Sequence, residues 1–347
     1  MRPIAVTPPY FSPLRLALLT LSMATALVNP SLAQDNVPAR SRSAADITVQ
    51  RSVVSGAVPG AAAAAAPAGS SAQKQQATTV VAAHPVAYGL LEALAQGSGI
   101  VPSRATPANL PASRHYSYLS GRGAKSFDRI VRNADAVVHL RSIWPDDPLY
   151  PLARKHNIRI IEIDAANPVD HGLPGIAATA DTNTAADYPW LNPVNMGRMA
   201  DIIASDMQRL EPGAKDKVVA NLATLRQRLI ALNAKVESAL LDVPSLSVVV
   251  LSPRLQSLAG AFNLDVVPAD AQADWNAQAL AALGKVIKDN DVQAVLLHEA
   301  ASPDLAAAIT KAGAEPVVVE TEGNDPVAVL EVAGQRLVQA LLAGSPG

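Results

Sequence analysis

The sequence contains no cysteine. That absence excludes a disulfide framework, a thiol nucleophile, an iron–sulfur cluster and a cysteine-ligated zinc site. It also excludes a lipid-anchored lipoprotein, which needs a cysteine where its leader is cut. An excess of basic charge is missing too: 28 Lys and Arg face 30 Asp and Glu, whereas nucleic-acid binding needs a basic patch. Catalytic signatures are absent as well. There is no His-Glu-x-x-His and no Gly-x-Ser-x-Gly. Gly97-Ser98-Gly99 lacks the third glycine of a dinucleotide fingerprint and follows a helical pattern instead of a strand. GRGAKS, Gly121 to Ser126, fails as a phosphate loop because Ala124 precedes Lys125 and Leu119 fills the earlier glycine position. His298-Glu299 ends an expected strand with no nucleophile beside it. The chain does not read as an enzyme.

Residues 1–33 read as an export address. Arg2 and Arg15 precede the apolar run Leu16 to Leu27, and Ser31-Leu32-Ala33 offers small residues for cleavage. The run is too short for a good membrane span, and no later stretch is long and charge-free enough to be one. Removing Arg2 and Arg15 leaves 26 basic against 30 acidic side chains, a net of −4. The expected product is exported and soluble. Residues 34–77 follow as a disordered linker rich in Ala, Pro, Gly and Ser, with little to bury.

From Thr78 onward, apolar strand patterns alternate with helical ones, which implies mainly parallel sheets. Strands are expected at Thr78–Ala83, Ala136–Leu140, Arg159–Ile163, Leu246–Leu251, Asp265–Val267, Val292–His298 and Glu315–Glu320. Helices are expected at Val86–Gln96, Ser126–Ala134 (capped by Ser126), Pro148–His156, Pro193–Leu210, Leu255–Phe262, Ala277–Asn290, Pro303–Ala312 and Pro326–Ala343. Pro102 to Ser120 reads as a Pro- and Ser-rich loop, and Asn167 to Tyr188 as a polar one.

One stretch organises this alternation. Gly213 to Val243 has no internal proline, and Val218, Leu222, Leu225, Leu229, Leu232, Val236 and Leu240 recur every three or four residues. That spacing lines one helix face, with Lys217, Asn221, Arg228 and Lys235 toward solvent. Pro212 and Pro244 bound it, and at ~1.5 Å per residue it is about 40 Å long. The fold class is therefore α/β: two βα lobes, 78–212 and 244–347, joined by a long rigid helix, 213–243. A rigid connector predicts small lobe movement. The alternative is one long core helix of a single domain. Two lobes direct attention to the cleft between them.

The string ASRHYSYLSGRGAKSFDRIVRNADAVVHL, Ala112 to Leu140, resembles the first metal-binding region of periplasmic zinc and manganese receptors of ABC transporters, the cluster A-I class. Members carry Pro-His-x-Tyr, then a Pro-Ser-Asp helix start, then Asn-Ala-Asp before an apolar strand. This chain keeps His115, Asn133, Ala134 and Asp135. ADYPWLNP, Ala186 to Pro193, is similar to the family's Asp-Pro-His-x-Trp-Leu-Asp-Pro, and LLHEAASPDLAAAI, Leu296 to Ile309, to its late strand and helix. The resemblance covers nearly the whole region after Thr78. It implies an exported monomeric receptor that delivers a divalent cation (zinc, manganese or iron) to an inner-membrane permease.

The departures concern the ligands. The family binds its ion with three histidines plus a carboxylate or water. His115 matches the first histidine, the second falls at Tyr188, and the third at Pro253 with Arg254 beside it. The late carboxylate falls near Glu320 or Glu322. No histidine-rich loop is present. One imidazole with phenolate and carboxylate suits a harder ion than zinc, and Arg254 in the cleft would oppose any cation. His84, at the end of the first strand, faces the cleft of an open α/β sheet and is a secondary candidate. His139, His156 and His171 read as structural or exposed, and Trp190 as packing at the lobe junction. Two readings stay open: a receptor whose site is rebuilt from His115, Tyr188 and a glutamate, or an envelope scaffold that kept the fold and lost the ion.

Overall fold

The computed structural model describes residues 77–169, 172–176, 187–272 and 274–343. The expected signal peptide, all of the expected linker but Ala77, and His171 lie outside them.

The first lobe runs β1 (Thr79–Ala82), α1 (Pro85–Ala95), β2 (Val101–Arg104), α2 (His115–Ser120), α3 (Ala124–Arg132), β3 (Ala136–His139), α4 (Leu149–His156) and β4 (Ile161–Asp164). Its four strands are parallel, in the order β2-β1-β3-β4. Helices α5 (Pro193–Leu210) and α6 (Lys215–Leu240) follow. The second lobe repeats the plan with β5 (Ser247–Val250), α7 (Gln256–Ala261), β6 (Asp265–Val267), α8 (Ala277–Asp289), β7 (Ala294–Leu297), α9 (Pro303–Ala312), β8 (Glu315–Val318) and α10 (Pro326–Ala343). Its order, β6-β5-β7-β8, is again parallel throughout. In each sheet the strand order reverses beside the first strand of the lobe, which opens a crevice at the carboxyl ends.

Two local expectations are corrected. Pro102–Arg104, the start of the expected loop, belongs to strand β2; Pro102 is tolerated because β2 is an edge strand and needs fewer donors. Within the same expected loop, His115–Ser120 is helical. Ser126 does not cap α3, which starts two residues earlier with Gly123 at the cap. There the Gly123 amide donates to the Tyr118 carbonyl at 2.9 Å, and a Cβ on Gly123 would stand 2.3 Å from the Tyr118 ring.

Helix α6 buries Val218, Leu222, Leu225, Leu229, Leu232, Val236 and Leu240, the whole expected face. Those side chains join one continuous core with Val80 and Leu90 of the first lobe and Val248 and Leu330 of the second. The helix is thus a connector and a core element at once. Two residues expected at its solvent side are clips. Asn221 donates to the carbonyls of Leu94 and Gln96 at 2.8 Å each, closing the end of α1. Arg228 grips Glu331 with two nitrogens at 2.8 and 2.9 Å and Asp325 with a third at 2.7 Å. Helix α10 is apolar and long enough, by length and composition, to cross a membrane. In this fold it is a core helix, with Leu330, Leu337 and Leu341 fully buried.

Candidate functional site: the cleft between the lobes

His84 lies just past the end of β1 and caps α1, its Nδ1 accepting the Val86 amide at 3.3 Å. A neutral imidazole that accepts at Nδ1 carries its proton on Nε2. That Nε2 is buried without a partner. His115 opens α2 with the opposite polarity. Its Nε2 lies 3.2 Å from the Leu110 carbonyl, which can only accept, so the proton sits on Nε2 and Nδ1 keeps its lone pair. This Nδ1 is also buried without a partner.

The two rings share one neighbour. Both stand edge-on to Trp144, with centroids 5.3 Å away for His84 and 6.4 Å for His115, and His84 also stands edge-on to Trp190 at 4.8 Å. Burial pushes His84 down to about 3, and the nearby His115 adds to the fall. Burial lowers His115 as well, against the pull of its Leu110 bond and with a smaller push from Arg104. Both imidazoles are neutral at pH 7.

Tyr188 stacks on Trp190 at 4.3 Å, and the Arg254 guanidinium lies 5.2 Å from the Tyr188 ring centre. Burial raises the Tyr188 phenol; Arg254 opposes that rise and Glu322 adds to it. Burial also raises the Glu322 carboxyl, opposed by a bond from the Ala112 amide and by Arg254. Glu320 is exposed. His298, 3.3 Å from Glu299, is lowered by burial and then by Arg254.

Several bonds stitch the lobes across the cleft. Trp190 Nε1 donates to the Thr321 carbonyl at 2.9 Å, which puts this indole at the lobe junction. Arg104 donates to Asn324 Oδ1 at 2.9 Å, and Asp187 accepts from the amide and hydroxyl of Ser257 at 2.9 and 2.7 Å. Gly89 is needed for this approach, because a Cβ there would stand 2.4 Å from the Asn324 carbonyl oxygen.

The structure therefore brings His84 and His115 of the first lobe together on Trp144, and Tyr188 of that lobe together with Arg254 and Glu322 of the second. Among the described residues no group of three His, Asp or Glu side chains is arranged to hold a metal ion. His139 is buried and bonded to Glu162 at 2.9 Å, and His156 to Asp128 at 2.8 Å. Three cleft residues escape sequence reasoning. Arg104 ends the strand read as loop, Trp144 lies in the turn after β3, and Ser252, just past β5, buries an unpartnered hydroxyl. Only Ser252 carries a signal, its place between an apolar strand and Pro253.

Two parallel-sheet lobes facing a cleft, with one long core helix between them, define a two-lobed solute-binding protein. The model of the family described as zinc-uptake complex component A, periplasmic, matches residues 126–331, more than half of the chain, and the chain belongs to that family. Solved structures agree in fold. The crystal structure of ZnuA is 21% identical with a TM-score of 0.57, over 78% of this chain and 100% of that one. The Zn(II)-bound ZnuA-like domain of Streptococcus pneumoniae AdcA is 19% identical with a TM-score of 0.60, over 78% and 100%. A FpvC mutant from Pseudomonas aeruginosa is 16% identical with a TM-score of 0.60, over 76% and 98%. No curated protein sequence matches the chain.

Proposed function

We propose that this chain is the periplasmic receptor of a metal-import ABC transporter. It leaves the cytoplasm by a signal peptide cleaved after Ala33, carries the 34–77 segment ahead of its lobes, and works as a monomer. Its cargo is a divalent cation, zinc, manganese or iron, handed to a permease in the inner membrane. The observation that carries the reading is the buried, neutral His115, whose Nδ1 lone pair has no partner. A neutral imidazole nitrogen is what a borderline cation takes.

In this reading His115 is the nitrogen donor and Glu322 supplies negative charge from the facing lobe. Glu320, in the same segment, is the alternative carboxylate. Tyr188 borders the cargo as a neutral phenol, and a cation beside it would favour its ionisation. His84 could ligate only by surrendering its cap on α1, since its free nitrogen bears the proton. Among the described residues only His115 pairs a buried, unpartnered imidazole lone pair with a place in this cleft, which supports weaker zinc binding than in three-histidine relatives. Elemental analysis of protein purified without added metal tests the reading. One equivalent of a divalent metal is expected. Protein free of every divalent ion, even after growth in metal-rich medium, would favour the scaffold instead.

A further inference from the structure

Arg104 brings into the cleft a charge that its direct partners do not neutralise. It ends β2 in register with Ala82, the last residue of β1, so it and His84 leave neighbouring strand ends. Its Nη2 donates to the neutral Asn324, and its guanidinium lies 3.9 Å over the Tyr88 ring. The Tyr88 hydroxyl and Glu92, bonded to each other at 3.2 Å, both attract the guanidinium, but neither is an acceptor for its Nη1. Arg104 Nη1 is buried with no acceptor. The proton-bearing Nε2 of His84 is buried in the same state. Two N–H groups at one sheet end therefore lack an acceptor, and a buried donor left so is costly.

The charge balance points the same way. Arg104 lies within electrostatic reach of His115, and Arg254 enters from the facing lobe beside Glu322. Among the described residues, a bare dication at His115 would meet the guanidinium of Arg104, with Arg254 beside the half-buried Glu322. An anion brought in with the cation would satisfy both orphan donors and offset both guanidiniums.

Building on the receptor reading above, we infer that the cleft takes its cation as an anionic chelate with a small polycarboxylate. Arg104 Nη1 and the His84 Nε2–H hold carboxylate oxygens, and His115 Nδ1 supplies the nitrogen for the metal.

The test is calorimetric titration of the metal-stripped mature protein, at matched ionic strength, with zinc chloride, with one-to-one zinc–citrate, and with citrate alone. Zinc–citrate should bind at least about tenfold more tightly than zinc chloride, the scale of one charge-assisted hydrogen bond. Arg104→Gln should lose that gain without weakening zinc chloride, and His84→Asn should lose part of it. Asn324→Ala removes the same cross-lobe bond while keeping the charge, and should retain the gain. The inference is overturned if zinc chloride binds as well as zinc–citrate, if Arg104→Gln keeps the gain, or if Asn324→Ala loses it equally. It is also overturned if citrate alone binds as tightly as the chelate. Tight zinc chloride binding with no effect of citrate leaves the receptor reading standing and removes only this inference. No binding in any arm removes both.

Discussion

His115 donates its Nε2 proton to the carbonyl of Leu110 at 3.2 Å, and that bond leaves Nδ1 as the nitrogen with a free lone pair. A proton and a cation compete for that lone pair. Burial lowers the His115 pKa from 6.5, so the proton wins only at a pH below that value. Metal binding should therefore persist below pH 6.5 and fade as the pH falls through the lowered folded value. Affinity measured across this range checks it. Half-loss at or above pH 6.5 would mean that the ring is solvated like a free imidazole.

His84 makes a separate prediction about stability. Its folded pKa is about 3, held down by burial, while the unfolded chain titrates near 6.5. Between those values the unfolded state binds more protons, so stability rises with pH through that window. The contribution is complete above about 6.5 and is lost progressively toward about 3. His84→Asn keeps a capping acceptor and removes the titration. It should flatten the acid limb of the melting-temperature curve; an unchanged limb would put the proton uptake elsewhere.

The long helix should tolerate little. Leu229 is 5% exposed within the shared core. Leu229→Pro should cost ~3 kcal/mol or more through the lost helix bond and ring clash. Leu229→Ala should cost roughly 2–5 kcal/mol by leaving a cavity. Denaturant melts followed by circular dichroism measure both, and a normal transition for the proline variant would break the claim of a continuous helix.

Helices α6 and α10 meet at Gly334, where an added Cβ would stand 2.6 Å from Val236 Cγ2. Gly334→Val should destabilise by roughly 1–3 kcal/mol by overpacking. Val236→Ala in the same chain should recover part of that loss, because it removes the clashing methyls. Additive losses in the double variant would show that the two helices do not touch there.

Periodic burial made much of this fold legible. The seven apolar residues of α6 declare their face by spacing alone, and α5 keeps its expected bounds because Asn192 caps it and Pro193 opens it. Val101–Arg104 escaped because an edge strand carrying Pro102 has the composition of a loop. The cleft was legible only in part. Resemblance singles out His115, but its tautomer depends on the Leu110 carbonyl, a contact no motif encodes. Arg104 belongs to the cleft only through the register of β2 on β1, and Trp144 only through the packing of two distant imidazoles.

The proposed cation binding turns on one side chain, His115, as the nitrogen donor. The most direct measurement is calorimetric titration of metal-stripped protein with zinc, manganese and iron(II), in wild type and His115→Ala. The expected result is one equivalent of at least one ion in wild type and none in His115→Ala, with Glu322→Ala intermediate. Binding that survives His115→Ala, or no heat with any ion or its citrate complex, would contradict the account.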